Sequence, residues 1–305
     1  MESSRKLVIY AALLGNALIA IMKFAAAFIS GSSAMFSEGV HSLVDTGNQV
    51  FLLHGLKQAK KPADARFPFG HGKEIYFWSF VVAIMIFAVG SGISLYEGVH
   101  HLLEPVPITN LMVNYIVLGL ALLFEGAAWG FALREFTRAK GKWGYIEAVR
   151  RGKDPSMFVV LFEDSAALLG LLVALTALVI TQLTGNLYAD GIASIVIGLL
   201  LGGTAIWLAF ETKGLLIGES ANVNVVDSIK QLLRSFDKIQ SVNEVLTMHM
   251  GPDFILVNLS VDFKDLASAS DVEKTIARLS AAIKQENANI KRVFIEARAA
   301  RYLAG

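Results

Sequence analysis

In the segment SEGVHSLVDTGNQ, residues 37–49, Glu38, His41, Asp45 and Asn48 follow one another at intervals of three, four and three. On an α-helix that spacing puts all four on one face. Imidazole and carboxylate one turn apart, His41 and Asp45, form half of a tetrahedral site suited to zinc or a similar divalent ion. Their neighbours are apolar, and ionisable groups at membrane depth usually line a pathway or pair with one another. A polar cluster that only joins helices is the competing reading, and the His-x-x-x-Asp pair weighs against it. The other half of such a site must come from another helix. LFEDSAALLG (161–170) offers Glu163 and Asp164; adjacent residues lie about 100° apart around a helix, so they do not both face one ion. Glu125, in ALLFEGAAWG, reads equally as a ligand or as the ion-pair partner of Lys23. Glu97, His100, His101 and Asp190 read as interfacial rather than functional.

The elements that must position these residues are mostly apolar. Of 305 residues, 54 % are hydrophobic and 17 % charged, against about 25 % charge in an ordinary soluble domain. Nearly all the long apolar runs fall in 7–217, whereas 218–305 has soluble composition. The expected organisation is therefore a membrane domain over 1–217 and a small domain over 218–305. Segments near 7–30, 34–56, 75–103, 111–135, 155–183 and 187–216 are each long enough to cross a hydrocarbon core, which takes about 20 helical residues. No small-residue cleavage site follows the first, so it is expected to be a span and not a removed leader. Lys57, Lys60, Lys61, Arg66 and Lys73 lie in one connection, and Arg134, Arg138, Lys140, Lys142, Arg150, Arg151 and Lys153 in another. The turns EPVPITN (104–110) and TGN (184–186) carry no Lys or Arg. Basic residues concentrate on the cytoplasmic side, so six spans with both termini cytoplasmic are expected, in the plasma or inner membrane of a prokaryote.

The tail changes period. VNVVDSIKQLLRSF (223–236) and SDVEKTIARLSAAIKQE (270–286) have helical spacing, while VNEVLTMHM (242–250), FILVNLSVDF (254–263) and KRVFIEA (291–297) read as strands. The order αββαβ predicts a small α+β domain with both helices on one face of a sheet. Several function classes are excluded. The chain has no cysteine, hence no disulfide or thiolate metal site. It has no GxxxxGK[ST] nucleotide loop, no HExxH and no Ser-His-Asp arrangement, so an enzyme is not expected. Neither a nucleic-acid partner nor a prosthetic group is expected.

Together HSLVD in the second segment, FGHGKE after it, ED in the fifth and MHMGPD in the tail resemble the cation diffusion facilitator family. The resemblance covers essentially the whole chain, and MFSEGVHSLVDTGNQ, RGKDPS and LFEDSAALLG resemble the zinc transporter nine-like branch in particular. It implies a homodimeric, proton-coupled exporter of zinc or a related divalent ion, with six transmembrane helices and a ferredoxin-like cytoplasmic domain that can bind regulatory metal. By the family's pattern, His41 and Asp45 form one ligand pair and Asp164 belongs to the second. Four residues before Asp164, however, stands Val160, which cannot coordinate. Water, Glu163, Glu38 or Glu125 is left to complete the site, and a three-ligand or oxygen-biased site would relax selectivity toward manganese, iron or cobalt. In PADARFPFGHGKE (62–74), Asp64 and His71 match positions of a secondary site, with Phe67 in place of a histidine; His71 reads mainly as packing or hydrogen-bonding. In the tail His249, with Glu296 across the sheet, is a weak candidate for a regulatory ion. The alternative to a carrier is a membrane metal sensor that does not transport, an option opened by Val160.

Overall fold

The computed structural model describes residues 2–141, 143–145, 147–148 and 155–299. Lys142, Arg150, Arg151 and Lys153 of the second basic connection, and RGKD of RGKDPS, lie outside the described residues. The chain divides into two compact units, Met1–Lys57 with Ile75–Lys213, and Gln58–Glu74 with Gly214–Gly305.

The first unit is built from long helices: α1 (Glu2–Ser30), α2 (Ser33–Ala59), α3 (Glu74–Leu103), α4 (Leu111–Lys140), α5 (Pro155–Thr184) and α6 (Tyr188–Ile217). Stretches of all but α2 are long and apolar enough to cross a membrane: Leu13–Ser30, Glu74–Leu103, Leu111–Arg138, Phe158–Thr184 and Tyr188–Ile217. With 27 residues, or ~40 Å at the usual helical rise, α2 is long enough but too polar to count by that measure. Its polar residues are turned inward: Ser37, Glu38, His41 and Asn48 are buried. Large apolar side chains point out instead, with Phe28, Leu123 and Leu183 each more than two-thirds exposed. Polar inside and apolar outside is the pattern a hydrocarbon solvent selects.

Without a hydrophobic drive between helices in lipid, close backbone approach and internal polar bonds must hold them. Between α3 and α6 both are present. A Cβ at Gly98 would come within 2.7 Å of Ile195, and one at Gly198 within 2.8 Å of Leu95, so only glycine lets the two helices approach this far. Ser194 on α6 donates to the Ser94 carbonyl on α3 (2.9 Å) and hydrogen-bonds Ser37 on α2. The α3 ladder passes through a π-helical stretch at Ile86–Ser91, beside Gly202 of α6.

Asp190, at the start of α6, is buried among the helices. Its Oδ2 accepts from the backbone N–H groups of Ser33 (2.5 Å) and Ala34 (3.3 Å), and its Oδ1 from Ser32 Oγ (2.6 Å). Ser32 Oγ in turn accepts from Met35 N (3.1 Å). The orphan donors at the start of α2 are thus satisfied by a carboxylate from another helix, at the end where the helix dipole favours negative charge. His101, also buried, places Nε2 3.8 Å from Asp190 Oδ2.

In the second unit α7 (Val223–Arg234), β1 (Ile239–Gly251), β2 (Phe254–Phe263), α8 (Ala269–Glu286) and β3 (Ile290–Ala297) follow in the expected αββαβ order. The sheet runs β1-β2-β3, with β1–β2 antiparallel and β2–β3 parallel. Alternation in FILVNLSVDF buries Ile255, Val257, Leu259 and Val261 against Ile229 and Leu233 of α7 and Leu279 and Ile283 of α8. Asn222 caps α7, and Ser268 with Asp271 forms a capping box on α8. The connection 58–74 packs on this unit as well. Gly72 lies against Met250 and Gly251 so closely that no side chain fits there, and the Phe69 ring meets Phe294 edge-on at 6.4 Å. A boundary at 217/218 therefore leaves out a connection that packs with the tail.

Removing the inter-helix cap has a measurable cost. Asp190→Ala should destabilise the full-length protein by about 2 kcal/mol, the upper range for a lost cap, seen as a lower thermal midpoint in detergent. An unchanged midpoint would mean that α2 is anchored elsewhere.

Candidate metal centre

The four residues spaced along α2 form one inward face. His41 is 1 % exposed; its Nδ1 lies 3.4 Å from Asp45 Oδ1, and neither ring nitrogen makes a hydrogen bond. An imidazole held so deep with both nitrogens unsatisfied is costly unless something binds it. Glu163 Oε1, on α5, accepts from Asn48 Nδ2 of α2.

The adjacent acids of α5 separate, as their angular offset requires. Glu163 packs among Asn48 and Asp45, whereas Asp164 lines a cavity of about 360 Å³. Asp45, Ser42 and Gln49 of α2, Glu125 of α4 and Val160 of α5 share that wall. Val160 thus faces the space where a ligand is expected and offers only methyl groups. Trp129 Nε1 donates to Ser165 Oγ (2.9 Å), tying α4 to α5 beside the cavity. Among the described residues, no three His, Asp or Glu side chains converge closely enough to enclose an ion as they stand. His41, Asp45 and Asp164 do not form a closed cage.

Lys23, on α1, is the centre of a second polar cluster that sequence reasoning saw only as a partner for Glu125. The side chain is fully buried, and Nζ donates to Glu38 Oε2 (2.9 Å), Ser42 Oγ (2.9 Å) and Glu125 Oε1 (2.8 Å). All three ammonium hydrogens are used, which a buried charge requires. Glu38, expected as a possible ligand, is turned away from the cavity: its Oε1 lies against Gly170 of α5, where a Cβ would collide with it. Glu125 pairs with Lys23 and still reaches the cavity wall; its Oε2 is buried without a hydrogen bond. The legible signal for this cluster was a lysine in the middle of an apolar span, which must find a partner on another helix.

The candidates in the second unit fare differently. His71 Nε2 lies 3.1 Å from Asp64 Oδ2, and its ring packs on Phe67 at 4.6 Å, in keeping with a packing and hydrogen-bonding role. Asp64 Oδ1 accepts from the backbone of Arg66 and Phe67. The Phe67 N–H first, then His71, hold the Asp64 carboxyl below the usual carboxylate range. His249 and Glu296 do not meet, contrary to expectation. His249 pairs with Ile255 on the middle strand and Glu296 with Ser260, five residues apart, or ~16 Å at the usual strand rise.

Residues 9–217 match the family model for the cation efflux transmembrane domain. The chain is 36 % identical over 266 residues to the proton-coupled zinc antiporter SLC30A9, mitochondrial, of Xenopus laevis, a match covering 86 % of this chain and 47 % of that protein. Metal tolerance protein C4 of Arabidopsis thaliana is 33 % identical over 250 residues, covering 81 % of this chain and 55 % of the relative. The manganese efflux system protein MneP of Bacillus subtilis is 23 % identical over 303 residues, covering 96 % and 95 %. The chain spans about half the length of the first two.

The seat of Glu38 on Gly170 gives a direct check. Gly170→Ala should displace the Glu38 carboxylate from Lys23 and cost about 1–3 kcal/mol, the usual penalty of overpacking. Leu169→Ala, at an outward-facing neighbour, is the control. Equal thermal midpoints for the two variants would mean that Glu38 relaxes freely and is not held.

Proposed function

Because the chain belongs to the cation efflux family, in its zinc transporter nine-like branch, we propose that it exports a divalent metal ion, zinc first, from the cytoplasm in exchange for protons. Its relatives are transporters and not enzymes, and the chain is an integral membrane protein. The observation that carries the proposal is the buried His41, unsatisfied at both nitrogens, set beside Asp45, with Asp164 of a second helix on the adjoining cavity wall. Imidazole with carboxylates is a donor set for zinc and its neighbours.

Charge balance supplies the coupling. Glu38 and Glu125 pair with the buried Lys23, and Asp45 and Asp164 add two further carboxyls on the cavity wall that Glu125 reaches. Such an excess of negative charge is costly in a membrane unless a metal ion or protons meet it. Metal needs neutral imidazole and ionised carboxylates, so an arriving dication releases protons, and protons entering from the far side help expel it. No nucleotide-hydrolysing motif is needed for such exchange.

In this proposal α2 is the sixth span, its polar face turned inward, and both termini are cytoplasmic with the basic connections. The αββαβ unit is a ferredoxin-like regulatory domain that pairs two copies into a homodimer. Its small core gains from burial against a second copy. A carrier preferring manganese is the second reading, favoured by the all-methyl Val160 and by the likeness to a manganese efflux protein.

Reconstituted into proteoliposomes, the protein should move zinc faster when the opposite side is acidic, and Asp45→Asn should abolish flux while the protein stays folded. Asparagine keeps the shape and removes the charge a dication needs. Parallel runs with manganese, iron(II) and cobalt rank the metals. Metal binding without flux would assign the protein as a sensor instead. In detergent, light scattering should give twice the 33.0 kDa mass of one chain; a single-chain mass at all concentrations would remove the dimer.

A further inference from the structure

On the basis of that transport reading, we propose that Glu125 of α4, oriented by Lys23, is the donor that takes the place left by Val160, so that the ion is held by three helices. Among the acids of the described residues, only Asp45, Asp164 and Glu125 lie on the cavity wall. Glu163 accepts from Asn48 and is not on that wall. Glu38 is turned to Gly170. Glu125 keeps one buried oxygen, Oε2, without a hydrogen bond, while its other oxygen is bound at 2.8 Å by Lys23. Buried unsatisfied oxygens are expensive, and this one belongs to a residue on the same cavity wall as Asp45 and Asp164.

Lys23 is the positioning residue. Its ammonium is fixed by Glu38 and Ser42 on α2, and the bond to Glu125 therefore ties the α4 carboxylate to the helix that carries His41 and Asp45. The same bond offsets one negative charge, so that the fourth donor adds an oxygen without adding a full unpaired charge. The resulting set is one imidazole and three carboxylates. It is harder than a set with two imidazoles, and it admits manganese more readily relative to zinc.

Calorimetric titration of the purified full-length protein with zinc chloride and with manganese chloride tests this. Glu125→Gln should weaken zinc binding by at least about tenfold, the lower bound for losing even an outer-shell partner of a metal site. Adding Val160→His to that variant should restore zinc and not manganese, because imidazole then enters from the position four residues before Asp164. Glu125→Asp keeps the charge that Lys23 needs but withdraws the carboxylate by one methylene, so zinc binding should fall here too. Lys23→Met combined with Glu38→Gln, which holds the local charge constant, should weaken zinc in the wild-type background and have no further effect alongside Glu125→Gln and Val160→His. Unchanged affinity in Glu125→Gln, wild-type affinity in Glu125→Asp, or failure of Val160→His to rescue overturns the assignment. Equal losses from the Lys23 change in both backgrounds overturn its positioning role. If instead Asp45→Asn binds zinc as wild type does, the transport site itself is misplaced, which keeps the two failures apart.

Discussion

An ammonium group buried completely in the membrane unit sets the terms for everything around it. Lys23 cannot stay charged there unless all its hydrogens are accepted, and the acceptors come from two other helices. Meeting that demand brings α1, α2 and α4 to one point. It also turns Glu38 into a fixed counter-ion, seated on Gly170 because only a glycine leaves room for the carboxylate. Of the other acids, Asp45, Asp164 and Glu125 share the wall of one cavity.

The helix that carries the metal candidates is itself held by polar bonds rather than by apolar burial. Hydrocarbon gives no reward for hiding leucine, so α2 is fastened at its start by the Asp190 carboxylate of α6 and along its length by Ser37 and Ser194. Since α6 also packs closely on α3 through glycines, the position of His41 and Asp45 depends on helices that contribute no ligand. The tail obeys the opposite rule. There α7, α8 and the sheet exclude water from a core of Ile, Leu and Val, and the ordinary hydrophobic effect holds them.

Local periodicity made much of this legible in the sequence. The inward face of α2 follows from intervals of three and four, the divergence of Glu163 and Asp164 from 100° per residue, the αββαβ order from the change between periods of 3.6 and 2, and the missing donor from counting four back from Asp164. Each depends only on positions within one helix or strand. Those features were decided as soon as the segment's secondary structure was decided.

Pairing between elements was not legible, because it depends on how far one helix is rotated and slid against the next. That Glu38 turns to Lys23 and Gly170, that Asp190 is buried as the cap of a distant helix, and that the 58–74 connection packs beside Gly251 all follow from close approaches at glycines. Strand register likewise separated His249 from Glu296, although both sit on strands of one sheet. The sequence by itself determined which donors exist and which face of its own helix each occupies. Only the tertiary structure decided which of them meet, since the partners of a buried charge are chosen by helix packing and not by spacing along the chain.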